Sequence, residues 1–241
     1  MNFKLIALLF FLFTKTFAQS HEIIVTEIFA DPTPSKGLPE REYIEIYNRT
    51  DKDISLKNYQ LFYGNYKTTF PEFLLKANEY AIVCRKGYEQ EFSSFGAVVA
   101  LASFSLSNEG SHLVLKNANN QDVAFVIYSI EWHTEVNTGG VSLEMIDINY
   151  PCVGKGNWAS SSDQTGGSPG KTNSVANSKP DTSLPILINS RLDFKEIVLN
   201  FDENLSLDFL KEKSNFLLEN SSNVISGITY SPYNNSQVVI N

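Results

Sequence analysis

The sequence predicts an all-β protein: an immunoglobulin-like β-sandwich followed by a second, incomplete sandwich of the same kind. Three observations carry that expectation. Nine short runs of β-branched and aromatic residues succeed one another between Ile23 and Ile146, turn formers separate them, and no long amphipathic helix interrupts the series.

In order, the runs are Ile23–Phe29, Tyr43–Tyr47, Tyr59–Phe62, Thr68–Phe70, Glu79–Cys84, Ala97–Leu101, His112–Lys116, Val123–Tyr128 and Val141–Ile146. Tyr43–Tyr47 sets Ile44 and Ile46 against Tyr43, Glu45 and Tyr47, the two-residue period of a half-buried strand with Glu45 facing outward. Val123–Tyr128 is continuously apolar, as for a strand covered on both faces. Asn48–Asp53 reads as a turn after which Ile54 and Leu56 return to the core, and Asn117–Asp122 as a hairpin connection. Composition turns polar over 172–183, with too little apolar surface to fold. The expected layout is therefore a first domain over 19–172, a linker over 173–183 and a second module over 184–241. In that module Leu184–Ile188 and Ile197–Phe201 read as strands. Ser206 would cap a short helix over Leu207–Lys213, and Asn215–Leu218 and Val238–Ile240 read as further strands.

At the N-terminus, Lys4, the apolar run Leu5–Phe13 and the small residues before position 19 form a secretory signal over 1–18, cleaved after Ala18. The run is about half the ~20 apolar residues a bilayer span requires, so no membrane span is expected once it is removed. The mature chain is expected outside the cell or on its surface. Removal leaves 17 basic against 27 acidic residues, a net charge of −10. Such a surface repels phosphate, and no Lys/Arg cluster interleaves with aromatics, so nucleic acid is not an expected partner. The two cysteines, Cys84 and Cys152, suggest one disulfide in an exported chain, which would staple the C-terminal edge of the first domain to a strand and contribute about 3–4 kcal/mol. The alternative is two buried free thiols. There is no Cys-x-x-Cys, and His21, His112 and His133 share no ligand spacing.

Residues 156–175 form a tract of serines, glycines and one proline headed by Trp158. It can neither propagate a helix nor pair as a central strand, but it can wrap a domain edge while Trp158 plugs the core. Together with Glu27–Pro34 and Glu42–Asn48, this tract resembles the bacterial lamin-tail domain over about residues 23–175. The resemblance implies a small immunoglobulin-like sandwich without catalytic residues. Ile197–Leu205 followed by Asn215–Leu218 is similar to the immunoglobulin-like modules of bacterial surface-layer and adhesive proteins. The 58 residues from 184 are fewer than such a module's usual ~100, so a longer protein is expected.

Candidate chemistry is sparse. Gly166–Thr172 imitates a phosphate loop, but Thr165 stands where the Walker pattern needs glycine, and no helix pattern follows. Asp31, Glu40, Glu42 and Glu45 crowd one loop and could hold calcium or form an acid–base pair. Lys36 and Arg41 beside them favour a solvated, charge-paired face instead. Asp51 and Asp53 lack the frame of a calcium loop and suit turn stabilisation. His133 adjoins Glu131 and Trp132, but adjacent residues on an extended segment face opposite ways. Tyr59, Phe62, Tyr63 and Tyr66 are the best candidates for a sugar-stacking platform, against the competing expectation that they fill the core. No nucleophile elbow is present. The reading is a non-catalytic adhesion, anchoring or spacer module without cofactor or metal, its partner a surface protein or glycan. The alternative is the N-terminal accessory part of a secreted phosphatase- or nuclease-type hydrolase whose catalytic domain lies beyond residue 241.

Overall fold

The computed structural model describes residues 21–134, 139–151, 153–180, 185–193, 195–201, 205, 207–218, 224–231 and 234–241. The expected signal over 1–18 and Cys152 lie outside the described residues. Two compact units divide the chain, His21–Asp181 and Thr182–Asn241.

All nine expected runs of the first unit form strands. They are β1 (Ile23–Phe29), β2 (Tyr43–Asn48), β4 (Gln60–Tyr63), β5 (Tyr66–Thr69), β7 (Tyr80–Arg85), β8 (Ala97–Leu101), β9 (Gly110–Lys116), β10 (Asp122–Ser129) and β11 (Leu143–Met145), with the short β3 (Ile54–Ser55), β6 (Leu74–Leu75) and β12 (Trp158–Ser160) added. Asn58 and Asn78, just before β4 and β7, and Asn120 in the β9–β10 hairpin adopt the left-handed conformation. Asparagine tolerates that region better than other side chains with a Cβ, which fixes where these strands start and turn. Asn48 organises its own turn. Its Nδ2 donates to the carbonyls of Lys52, Leu75 and Lys76, and its Oδ1 accepts from the Thr50 N–H and hydroxyl.

Six strands make one sheet in the order β12-β11-β1-β2-β7-β8, antiparallel throughout except for the parallel β7/β8 pair. That parallel crossover carries the one-turn helix α1 (Glu89–Phe92). A second, antiparallel sheet runs β10-β9-β4-β5, and β3 pairs with β6. The main core lies between the two larger sheets and includes Ile28, Ile44, Ile46, Leu61, Val83, Leu113, Leu115, Val126 and Trp158. Trp158 is buried and packs beside Trp132, ring centroids 6.0 Å apart. This is a β-sandwich with an unusual second side. A separate apolar cluster of Phe29, Leu38, Tyr43, Ile82, Cys84 and Phe92 covers the opposite face of the six-stranded sheet at one end.

That second cluster corrects two burial expectations. β2 alternates as read, but both of its faces are buried, and every residue of β1 is buried. Conversely, β10 is one-sided despite its continuous apolar sequence: Ala124, Val126 and Tyr128 are buried while Ile127 is exposed. Burial is thus set by what covers each sheet, which strand composition does not report.

The second unit is a four-stranded antiparallel sheet in the order β13 (Leu187–Asp193), β14 (Glu196–Phe201), β16 (Asn234–Ile240), β15 (Ile228–Ser231). Leu199, Leu205, Leu210, Val238 and Ile240 form its core, with Leu210 supplied by the helix α2 (Leu207–Lys211). The strand expected at Asn215–Leu218 is absent. Lys213–Asn215 is a 3₁₀ turn instead, Asn215 Nδ2 donates to the Phe209 carbonyl at 2.8 Å, and Phe216 packs edge-on against Phe209. The asparagine satisfies a carbonyl left free at the helix end, which holds the chain out of a ladder.

Removing Trp158 empties the edge of the main core. Trp158→Ala should destabilise the first unit by about 3–5 kcal/mol in denaturant melts; a shift below about 1 kcal/mol would place the indole outside the core.

Candidate functional site

The four carboxylates singled out in sequence do not converge. Glu40 Oε1 accepts from the Ser35 N–H at 3.4 Å, and half-buried Glu42 accepts from the Leu106 N–H at 3.0 Å. Burial raises the Glu42 pKa above its ordinary value. Asp31 is tied in through its backbone carbonyl, which accepts from the Gly140 N–H. Arg41 pairs with Glu91, 3.1 Å distant, stacks over the Tyr88 ring and donates to the Glu40 carbonyl rather than to any of the four carboxylates. Glu45, expected on a solvated face, is fully buried. The side of β2 that it faces is covered by the serine–glycine tract.

Glu45 is one of three. Register places Glu27 of β1 directly opposite Glu144 of β11 on one side and Glu45 of β2 on the other. A register shift between Val25 and Glu27 inserts Thr26 as a bulge, and the Thr26 hydroxyl donates to Glu45 Oε1 at 2.8 Å. The result is a row of three carboxylates across three neighbouring strands, each with no exposed surface. Glu27 and Glu144 went unnoticed in the sequence. The available signal was a glutamate in the middle of each of three apolar runs.

Neutral donors serve every oxygen of the row but Glu27 Oε2. Glu27 Oε1 accepts from the Tyr43 hydroxyl at 2.7 Å, the Ser142 hydroxyl at 2.6 Å and the Ser168 N–H at 2.9 Å. Glu45 Oε2 accepts from the Gly170 N–H at 2.6 Å. Glu144 takes the Ser168 hydroxyl on Oε1, and the Ser174 hydroxyl and Val175 N–H on Oε2. Asn173 closes the seam, its Nδ2 donating to the carbonyls of Thr26 and Met145. Residues 173–179, expected as a free linker, are bound to this unit as well: the Asn177 N–H donates to the Ile146 carbonyl, and the Lys179 N–H to Asp147 Oδ2 at 2.8 Å.

Desolvation dominates the electrostatics. Burial first, then the neighbouring Glu144 charge, push the Glu27 pKa up to about 7 against the opposing hydrogen bonds. Burial and the Glu27 charge raise Glu45 well above its ordinary value. Burial and Glu27 likewise raise Tyr43, which therefore stays a donor.

The phosphate-loop imitation now has a structural explanation. The backbone N–H groups of Ser168 and Gly170 do bind acidic oxygens, but these belong to the protein's own Glu27 and Glu45. Glycine is required where the tract touches the sheet and neighbouring loops. A Cβ at Gly167 would stand 2.5 Å from Glu27 Oε1 and 2.7 Å from the Tyr43 hydroxyl, and one at Gly170 only 1.8 Å from the Phe95 carbonyl.

The remaining candidates are structural. His133 Nδ1 lies 2.9 Å from the Ser160 hydroxyl, and burial outweighs the pull of Asp31 to lower its pKa to about 4. Asp53 binds Lys76 and the Ala77 N–H across to the chain before β7 rather than within its own turn. Tyr63 is buried with exposed Tyr66 stacked on it, ring centroids 5.9 Å apart, while Phe62 lies under Lys67 and Lys116. These rings do not form one exposed platform, because Phe62 and Tyr63 take opposite faces of β4. Cys84 is a buried thiol. Burial and the charges of Glu89 and Glu91 push its pKa up to about 12, and it fills space beside Phe92 as a small apolar side chain. Its expected partner Cys152 lies outside the described residues. Among the described residues, no group of three or more histidine, cysteine, aspartate or glutamate side chains could hold a metal ion.

Residues 16–129, just under half of the chain, match the model of the Lamin Tail Domain family. The matched stretch carries β1 to β10 and two of the three row glutamates, Glu27 and Glu45. No curated protein matches the chain.

Two outcomes follow from this geometry. Gly167→Ala should cost about 1–3 kcal/mol of stability by forcing the tract off Glu27, read as a lower urea midpoint at unchanged slope; an unchanged midpoint would mean the tract is not seated there. The His133 imidazole should titrate near pH 4 by NMR rather than near the ordinary 6.5. Its folded pKa is lowered, so the stability it contributes is present above pH 6.5 and lost as pH falls towards 4. A midpoint at the ordinary value would contradict its burial.

Proposed function

We propose that this chain is a non-catalytic structural or interaction module, exported and working on the cell surface or outside the cell, with a protein or glycan as its partner. The Lamin Tail Domain match supports the coarser part of this reading, a non-catalytic immunoglobulin-like β-sandwich. The observation that carries it is how the chemically capable side chains are employed. Glu27, Glu45 and Glu144 bind a structural tract, Glu42 and Asp53 bind backbone N–H groups, and His133 binds Ser160. Hydrolysis at neutral pH needs an activated nucleophile or a metal with converging ligands, and carboxylates engaged by neutral structural donors supply neither. The second unit, with its sheet-and-helix core, is read as part of an immunoglobulin-like spacer. The apolar-run signal at the N-terminus supports export.

The test has two arms on the purified chain from residue 19. In a screen against glycans and surface proteins, saturable binding of at least one partner is expected. In assays on phosphoesters, nucleic acids, peptides and glycosides, with and without divalent metal, no turnover is expected. Turnover that co-purifies with the chain and vanishes on substituting Asp31, Glu40 or Glu42 would overturn the non-catalytic reading.

A further inference from the structure

The glutamate row has an unusual set of partners. Its six carboxylate oxygens face five hydroxyls and three backbone N–H groups, and no lysine or arginine makes a hydrogen bond to them among the described residues. Five of those eight donors belong to the tract: the Ser168 hydroxyl and N–H, the Gly170 N–H, the Ser174 hydroxyl and the Val175 N–H. Among the described residues, two buried acceptors in the same seam have no donor, Glu27 Oε2 and Asn173 Oδ1. An ionised Glu27 would leave an anionic oxygen unsatisfied in the interior, beside two further carboxylates on the adjacent strands. A proton on Glu27 Oε2 removes that charge and turns an orphan acceptor into a donor.

The other groups that face the row are few. From β2 come Tyr43, a neutral donor, and Glu45; from β11 comes Glu144; and from β7 comes Tyr80, whose hydroxyl meets Thr172 of the tract. From the tract itself comes Lys171, whose mostly exposed ammonium is paired with Asp163 Oδ2 at 2.9 Å and attracts Glu144 and Glu27 through space without a hydrogen bond to either.

We propose that residues 161–177 are a proton-latched strap, held down on the six-stranded sheet while Glu27 and Glu45 carry protons and loosened when both are ionised. The sign follows from the direction of the shifts. Both Glu27 and Glu45 hold protons more tightly in the folded state than when exposed. Their contribution to docking is therefore complete below the ordinary value of 4.5. It is lost as pH rises through about 7 for Glu27, and the upward shift of Glu45 has the same sign. Around neutrality the strap is poised, so modest acidification tightens it and modest alkalinisation frees it. This is opposite in sign to the effect of His133.

Hydrogen exchange read by mass spectrometry on the full mature chain tests the idea. Protection over 161–177 is compared with that over β7 between pH 5.5 and 8.5, after correction for the intrinsic pH dependence of amide exchange. Protection of the strap should fall at least about tenfold across that range while β7 holds, since a pKa change of one unit is a tenfold change in the equilibrium. Glu27→Gln keeps the accepting oxygen and removes the charge, so its strap should stay protected at pH 8.5. Glu45→Gln should do the same in part and serves if the first variant does not fold. A strap equally protected at every pH, or a wild-type fall reproduced unchanged in both variants, would overturn the latch.

Discussion

The first unit depends on one constraint: its central sheet is buried on both faces, yet one of those faces carries three glutamates in a row. A sandwich of two sheets would leave that face to water, and the glutamates would be ordinary surface residues. Here Phe29, Tyr43, Ile82 and Phe92 cover one end of the face, and the strap covers the glutamates. Every carboxylate taken from water must then find a donor on the covering layer. The tract after Trp158 is almost nothing but donors: serine hydroxyls, and backbone N–H groups laid bare by glycine.

That pairing explains composition and placement together. A covering layer of leucines would strand the carboxylates, and a layer of lysines would bring charges with their own desolvation cost. Small residues allow the approach. Gly166 comes so near the Gly140 carbonyl, and Gly170 so near the Phe95 carbonyl, that no other residue fits without displacement. Hydrogen bonds to charged acceptors are worth about 1.5–3 kcal/mol each, but burying a carboxylate costs several. The net gain is therefore small and its sign depends on protonation. What the row supplies reliably is register: Ser168, Gly170 and Val175 each meet a particular oxygen, and a slip of one residue would mismatch all of them.

Much of the fold was legible in the sequence, because strand formation in the first unit is signalled locally. The nine runs, the Asn120 hairpin and the core role of Trp158 all rest on residues close in the chain. What misled was coverage. Val123–Tyr128 looked doubly buried and is not, while Tyr43–Tyr47 looked half exposed and is covered on both faces. Which sheet face another segment covers is a long-range fact, fixed here by contacts between residues more than 100 apart, such as Glu27 with Ser168. The candidate site failed for the same reason. Asp31, Glu40, Glu42 and Glu45 cluster in sequence, whereas the glutamates that do assemble, at 27, 45 and 144, are brought together only by the pairing of β11, β1 and β2. A tract rich in donors and poor in cations, in a chain with three mid-strand glutamates, was the one readable hint.

The central claim is that the tract is a structural layer of the first unit and not a tail attached to it. Comparing two truncated chains under denaturant measures this most directly, one ending at Ser160 and one at Pro180, both starting at residue 19. The account predicts cooperative unfolding for the chain ending at Pro180 and loss of a cooperative transition, with exposed apolar surface, for the chain ending at Ser160. Identical midpoints and slopes for the two chains would contradict it.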